Sequence, residues 1–242
     1  MNHETIALKD GTTTEDPRLD RLIEFDERSR DYPIRTILES KKPRSYTWRC
    51  GTFLNQKQEG ACVGAALGHE LSARPSEVLG LTMNDARDFY HGAQRRDPWP
   101  GGAYPGASPF YEGTSILAGV KEVQARGYFE NYRWGFSLMD LILGVGRNGP
   151  AILGTNWYSS MFTPDSKGFL SISVEVAGGH ALLVRAVNVK KEFFTLRNSW
   201  GRKWGQDGDC YLSFTDMRRL LGERGEAVFF MNRKTKPVIP TP

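Results

Sequence analysis

The sequence is poor in cysteine and histidine, with three cysteines (Cys50, Cys62 and Cys210) and four histidines among 242 residues. An odd and sparse set of cysteines is a poor disulfide framework, so at least one thiol is expected to be free unless it pairs with another chain. No cluster of cysteine and histidine residues has the spacing of a metal site. We therefore predict neither a metal nor a cofactor.

Long apolar runs and a strong charge of one sign are also missing. No apolar run approaches the ~20 residues that a membrane span requires, and the first 18 residues contain no apolar segment typical of secretory signals. The formal net charge of +4 is small and scattered, which argues against a nucleic-acid partner. These absences predict a protein of the cytoplasm, or a phage protein that virion assembly carries to its site.

The chain divides by composition into three parts. Residues 1–45 are polar and weakly patterned, residues 46–232 carry the apolar periodicities, and residues 233–242 form a tail whose three prolines exclude a helix. Both ends are candidates for disorder, for packing onto the body or for binding an assembly partner. Residues 1–45 could also cross a cleft of the body as a short pro-segment.

Helical periodicity comes first along the chain and strand periodicity comes later. Apolar residues at helical spacing predict helices over residues 62–73, 82–94 and 116–126, with Thr82 as an N-cap. Short β-rich runs separated by turn residues follow: AILGTNW, GFLSISV, HALLVRAVNV, EFFTLRN, DCYLSF and EAVFFM. Helices followed by strands indicate an α+β fold with two lobes rather than an alternating α/β fold.

Cys62 stands at the beginning of the first predicted helix, directly after the turn Glu59-Gly60-Ala61. The N-terminus of a helix carries a partial positive charge and free N–H groups, which favour a thiolate over a thiol. A lone cysteine in this position is more often a small buried residue. Cys62 therefore becomes a candidate nucleophile only if a base lies nearby.

His180 is the best placed of the histidines, because it opens the apolar strand ALLVRAV, where a titratable residue can reach a cleft. Asn198 follows 18 residues later, at the end of another predicted strand. Its amide oxygen can accept the imidazole N–H and fix the tautomer, and Trp200 can shield that bond from water.

Gln56 lies six residues before Cys62 and can donate its side-chain N–H to an oxyanion, with the Cys62 backbone N–H as the second donor. Gln58 is a competing candidate of the same type. Each of these residues also has an ordinary structural interpretation, as a core histidine, a turn or a loop amide. Their combination in this order favours nucleophilic catalysis.

Three segments resemble the papain family of cysteine peptidases, particularly its bacterial and phage members: NQKQEGACVGAA, GGHALLVRAV and LRNSWGRKWGQDGDCYL. The resemblance covers about residues 46–232. It implies a papain-like α+β fold with a helical N-terminal lobe, a C-terminal lobe with an antiparallel, barrel-like sheet, and an active site between them. By position it implies Cys62 as nucleophile, His180 as base, Asn198 as orienting amide and Gln56 as oxyanion donor.

The resemblance also implies a substrate-binding set, which comprises Gly113, Thr114, Gly179 and Trp200. The family has paired glycines in the cleft where this chain has Gly113-Thr114, so Thr114 is expected to narrow the cleft. Glu59 and Val63 stand where the family signature has a first cysteine and an aromatic residue. The loss of that cysteine removes a structural disulfide, which fits a reducing compartment.

These observations predict a cysteine peptidase that hydrolyses peptide or isopeptide bonds and has a polypeptide substrate. Acyl transfer by the same residues is an alternative, because both reactions share the acyl-enzyme. A binding or structural role on an inherited fold, for example in a virion, is a third hypothesis. A murein hydrolase is a fourth, although Asn198 and its tryptophan-rich segment argue against it.

Overall fold

The computed structural model describes residues 5–24 and 26–236, and the predicted tail beyond residue 236 lies outside the described residues. Five α-helices lie in this part of the chain: α1 (Cys62–Leu71), α2 (Met83–Gln94), α3 (Ile116–Ala125), α4 (Leu138–Arg147) and α5 (Phe214–Gly222). Three short 3-10 helices span Glu27–Asp31, Ile34–Ile37 and Ser159–Phe162. No described helix has the length and apolarity that crossing a membrane requires.

Eleven β-strands accompany these helices: β1 (Ile6–Ala7), β2 (Thr13–Thr14), β3 (Arg21–Leu22), β4 (Tyr46–Thr47), β5 (Thr114–Ser115), β6 (Asn131–Gly135), β7 (Ala151–Tyr158), β8 (Val176–Asn188), β9 (Phe193–Arg197), β10 (Asp209–Ser213) and β11 (Glu226–Met231). Seven of them form an antiparallel sheet in the order β10-β9-β8-β7-β11-β6, with β4 pairing to β8. The pairings among the described residues do not close into a ring.

Helices α1, α2 and α3 pack together because small residues let them approach closely. A Cβ atom added to Gly64 of α1 would lie 2.0 Å from the Ala86 carbonyl oxygen of α2. Thr82 caps α2 in a reciprocal capping box with Asp85, as predicted, and the Ser115 hydroxyl accepts from the Ala118 N–H to cap α3. This packing fixes the start of α1 against the sheet.

Strand β8 separates two hydrophobic cores, because successive side chains of a strand point to opposite faces. Leu182 and Val184 join a core on the side of α4 and α5, whereas Ala181 and Leu183 join a core with α1, α2 and α3. The mixed helix and sheet architecture predicted from the sequence is confirmed, with a helical N-terminal lobe and a sheet-based C-terminal lobe.

The predicted strand over GFLSISV is wrong. Only an isolated bridge of Phe169 with Tyr211 of β10 forms here, through backbone bonds of Gly168 and Leu170 with Tyr211, and the later residues of the segment bond to a side chain instead. The Ser160 hydroxyl donates to the Ser171 carbonyl at 2.5 Å and accepts from the Ser173 N–H at 2.9 Å. These bonds take backbone groups that a sheet ladder would otherwise use.

Part of the N-terminal segment packs onto the body as short strands. Strands β1 and β2 form a hairpin, and β3 pairs in parallel with β5 of the N-terminal lobe. Lys9 anchors the hairpin by an ion pair with Asp97 at 2.7 Å, in which neither side chain is exposed. The anchored hairpin and the pairing of β3 with β5 hold residues 16–22 at the junction of the two lobes.

Candidate active site

Cys62 is the first residue of α1 and is fully buried. The helix has no side-chain cap of its own, because Ala61 stands at the N-cap position. A carboxylate oxygen of Asp20 accepts instead from the Cys62 N–H at 3.3 Å. Cys62 shares a hydrophobic core with Ala181, the residue that follows His180 on β8.

His180 is buried on β8 and lies 2.8 Å, through Nε2, from Oδ1 of Asn198. The sheet register produces this contact: Leu183 of β8 pairs with Arg197 at the end of β9, so the next residue of the chain, Asn198, lies beside the start of β8. Asn198 Oδ1 also accepts from the Ser199 N–H at 2.8 Å. The orienting amide is therefore itself held in place.

Two tryptophans enclose the imidazole of His180. The ring centroids of Trp200 and Trp157 lie 5.0 Å and 4.8 Å from that of His180. Trp200 was named from the sequence, whereas Trp157 was not, because in AILGTNW it reads as an ordinary strand aromatic. A low-dielectric surrounding strengthens the hydrogen bond between His180 and Asn198 and holds its geometry.

Gln56 is fully buried and tied to the segment that carries Asn198. Its Nε2 donates to the Glu59 carbonyl at 2.9 Å, and its Oε1 accepts from the Ser199 hydroxyl at 2.6 Å. Gln58 is exposed. The burial and bonding of Gln56 favour it over Gln58 as a preorganised donor.

The segment 16–22 runs through the space between Cys62 and His180. The Arg18 carbonyl oxygen lies 3.2 Å from His180 Nδ1, and the Arg18 guanidinium stacks over Trp200 at 4.2 Å from the ring centroid. The Asp20 carboxyl meets the amide of Cys62. Residues 18 and 20 of this segment therefore contact both His180 and Cys62.

Glycines and Thr114 line this path, as the resemblance implies. The Thr114 N–H donates to the Asp20 carbonyl at 3.2 Å, and Asp20 forms a parallel bridge with Gly179. A Cβ atom on Gly179 would lie 2.1 Å from the Arg21 carbonyl oxygen, and Gly113 adopts φ +95°. The Thr114 hydroxyl donates to Asp97 at 2.7 Å, so this side chain turns towards the Lys9 anchor.

Burial beneath the segment keeps the thiol and the imidazole neutral. It raises the pKa of the Cys62 thiol well above its usual value, and the charge of Asp20 acts in the same direction. It lowers the pKa of His180 to about 4, against the opposing effect of the contacts with Asn198 and Arg18. A neutral thiol is a poorer nucleophile than a thiolate.

Two carboxyl groups meet beside the thiol. Burial raises the pKa of Asp20, and burial together with the charge of Asp20 raises the pKa of Glu112 to about 7. The Tyr90 hydroxyl donates to Glu112 at 3.0 Å, and Glu59 adds a further negative charge nearby. Within the described part of the chain, no group of three or more acidic, histidine or cysteine side chains forms a metal-binding cluster.

Comparison with known proteins identifies the fold. No family model matches the chain, and no curated protein does. Xylellain, a cysteine protease from Xylella fastidiosa, matches with a TM-score of 0.67 at 14% identity over 92% of this chain and 99% of that one.

Two further solved structures agree. Digestive procathepsin L 3 of Tenebrio molitor matches with a TM-score of 0.54 at 12% identity, over 89% of this chain and 75% of that one. A cysteine protease of Carica candamarcensis matches with a TM-score of 0.52 at 17% identity, over 80% of this chain and 100% of that one. At these identities the likeness concerns the fold.

Proposed function

We propose that this chain, which has the papain-like two-lobed fold, is a cysteine peptidase that hydrolyses peptide bonds with Cys62, His180, Asn198 and Gln56. The observation that carries the proposal is the 2.8 Å contact between His180 and Asn198. The residue after His180 on the same strand, Ala181, shares a hydrophobic core with Cys62. An imidazole held by an amide beside a thiol at a helix N-terminus is suited to nucleophilic catalysis.

In the proposed reaction the Cys62 thiolate attacks the peptide carbonyl carbon, and His180 carries the thiol proton. The Cys62 N–H and the Gln56 amide donate to the oxyanion. The C–N bond then breaks, the leaving amine takes the proton from His180, and a thioester forms. Water attacks the thioester while His180 accepts its proton, and the free thiol and a carboxylic acid result.

We further propose that residues 16–22 must leave the cleft before this reaction can begin. The Arg18 carbonyl faces the ring nitrogen that would otherwise face the thiol, and Asp20 covers the oxyanion donor of Cys62. Departure of the segment exposes both groups to water and removes the burial that opposes their ionisation. The segment thus acts as an inhibitory strap, in keeping with the short pro-segment expected within residues 1–45.

A covalent label tests the proposed catalytic residue. Incubation with an epoxide or iodoacetamide is expected to modify one thiol, Cys62, in parallel with the loss of peptidase activity on a denatured protein substrate. Opening of the strap exposes Cys62, whereas Cys50 and Cys210 stay buried in the folded chain and are expected to remain unmodified. Full modification of Cys62 with activity retained would contradict the proposal.

Ionisation of Glu112 is expected to favour opening of the strap as the pH rises. The lowered pKa of His180 acts in the opposite direction, because the open form binds the proton that the closed form excludes. Glu112 has a pKa of about 7 when the strap is closed, against an ordinary value of 4.5. Between pH 4.5 and pH 7 the closed form therefore binds more protons than the open form, and its stability falls as the pH rises through this range. For each proton that is released when the strap opens, the equilibrium constant between the open and the closed form rises by at most about tenfold per pH unit.

The rate of Cys62 alkylation is measured in the native chain and in Glu112→Gln, and the first rate is divided by the second. The pH dependence of the thiol's own ionisation is common to both proteins and cancels in this ratio. We expect the ratio to rise by about fiftyfold between pH 5 and pH 7.5, because Glu112 ionises on opening over this range whereas glutamine stays neutral at every pH. A ratio that is flat or falls with pH would show that Glu112 does not control opening.

A further inference from the structure

A buried guanidinium lies one residue before the orienting amide of the proposed site. Arg197 ends β9, and its side chain is 4% exposed. Asp209 stands opposite Arg197 in the pairing of β9 with β10, and its carboxylate accepts from Nε at 2.5 Å and from Nη2 at 3.4 Å. The neighbouring strand therefore fixes the plane of this guanidinium.

The third nitrogen of the same guanidinium reaches the loop of residues 50–56, which ends in Gln56. Nη1 of Arg197 donates to the Thr52 carbonyl at 3.0 Å and to the Cys50 carbonyl at 3.4 Å. The Phe53 ring centroid lies 4.1 Å from Cζ of Arg197. Four bonds from three nitrogens thus tie the loop to β10, and they fit the fixed plane of a guanidinium, which an ammonium group cannot reproduce.

Further bonds hold the other end of this loop. The Gln56 N–H donates to the Ser199 carbonyl at 2.9 Å, and the Ser199 hydroxyl donates to Oε1 of Gln56 at 2.6 Å. The Leu54 N–H donates to Nε2 of His69, a buried residue of α1, at 3.1 Å. The proposed oxyanion donor is therefore held between the helix of the nucleophile and the strand end of the orienting amide.

A second arginine shares the Asp209 carboxylate. Arg185 of β8 donates from Nε and Nη2 to Oδ2 of Asp209 at 2.9 Å and 2.5 Å, and from Nη1 to the Trp48 carbonyl at 3.3 Å. Unlike Arg197, it makes no bond to the loop of residues 50–56 within the described part of the chain. Removal of Asp209 alone would leave two cations without their carboxylate in a largely buried place, which is strongly destabilising. Replacement of one arginine by lysine keeps a cation beside Asp209.

We propose that Arg197 is a positioning residue, which acts through the loop of residues 50–56 and fixes the Gln56 amide relative to Asn198. This inference rests on the proposed peptidase function. The oxyanion forms only in the transition state, so a displaced Gln56 amide lowers kcat and leaves KM nearly unchanged. A displacement of about 1 Å can lower a rate by about a hundredfold.

A comparison of Arg197→Lys with Arg185→Lys tests this role. Both replacements exchange a guanidinium for an ammonium beside the same carboxylate, but only Arg197 bonds the loop that carries Gln56. We expect Arg197→Lys to lower kcat on a peptide substrate by about tenfold to a hundredfold, with KM within about threefold of the reference. Arg185→Lys is expected to keep both constants within about threefold. Equal kcat values for the two variants would overturn the inference.

Two further conditions keep the comparison specific. Every protein, including the reference, carries Arg21→Glu, which breaks the 2.6 Å ion pair between the strap and Glu226, so that opening of the strap does not limit the rate. Each kcat is expressed per Cys62 thiol that an epoxide titrates, so that a loss of folded protein is not counted as a loss of rate.

A double variant covers the case in which Arg197→Lys does not fold. Arg197→Gln together with Asp209→Asn removes both charges of the buried pair, so neither partner is left as an uncompensated charge of that pair. It also removes the guanidinium that holds the loop, and the same loss of kcat is expected. Full kcat in the double variant would overturn the inference.

Hydrogen exchange tests the tether without catalysis. The exchange rate of the Gln56 backbone amide is divided by that of Ile152, a buried residue of β7, because a general loss of stability raises both rates together. We expect this ratio to rise at least about tenfold in Arg197→Lys and to stay within about twofold in Arg185→Lys. An unchanged ratio in Arg197→Lys would overturn the inference. The absence of peptidase activity in every protein would refute the proposed function instead and leave the exchange rates to decide the role of Arg197.

Discussion

Replacing Arg21 by glutamate in the full chain is expected to raise the rate at which iodoacetamide modifies Cys62 by about a hundredfold to a thousandfold. Cys62 is fully buried beneath the strap, so its modification requires an opening. The Arg21 side chain is 1% exposed and pairs with Glu226 at 2.6 Å, so Arg21→Glu brings a second carboxylate against a largely buried one. Disruption of a buried ion pair costs about 3–5 kcal/mol, and each 1.4 kcal/mol changes an equilibrium by about tenfold.

Arg28→Glu provides the matched control. Arg28 carries the same charge in the same N-terminal region, but its side chain is 80% exposed and pairs with Asp26 at the surface. An exposed ion pair contributes little to stability, so the modification rate is expected to stay within about twofold of that of the native chain. Equal rates for Arg21→Glu and the native chain would mean that the strap does not limit access to the thiol.

Replacement of Cys62 by alanine is expected to lower peptidase activity at least about a thousandfold, because no other group in the proposed site supplies a nucleophile. The comparison is best made with Arg21→Glu present in both proteins, so that the strap does not limit the measured activity. The readout is kcat/KM on a peptide substrate.

Cys50→Ala is the control for the loss of a buried thiol. The Cys50 sulfur lies 3.4 Å from the His69 carbonyl oxygen, near the other end of α1, away from His180. Its removal is expected to affect the stability of the fold rather than the chemistry. Peptidase activity that survives in Cys62→Ala, with the control also active, would require a different nucleophile.

The sequence predicted the fold and the candidate residues because they depend on short local patterns. The Thr82 cap, the helical spacing of α1 and α3, and the asparagine segment are each readable within about 20 residues. Cys62 and His180, by contrast, are 118 residues apart. Their proximity follows from the packing of α1 against β8, which the resemblance implied and no local pattern could establish.

The contents of the cleft could not be predicted in the same way. DPRLDRL has no distinct periodicity, and its role arises from partners up to 205 residues away, as between Arg21 and Glu226. Helix α4 was also missed, although Ser137 caps it through the Asp140 N–H at 3.2 Å. Its glycines at positions 144 and 146 weaken the helical signal, but a Cβ atom on Gly144 would meet the Phe229 ring, so tertiary packing outweighs propensity there.

The free N–H group at the start of α1 determines whether Asp20 or a peptide can bind there first. The first N–H groups of a helix have no acceptor within the helix, so the amide of Cys62, the first residue of α1, requires an acceptor from elsewhere. In the resting chain that acceptor is the Asp20 carboxyl, and in the proposed reaction it is the carbonyl oxygen of the peptide. The two oxygens compete for one donor, so a peptide cannot be bound productively until Asp20 has withdrawn.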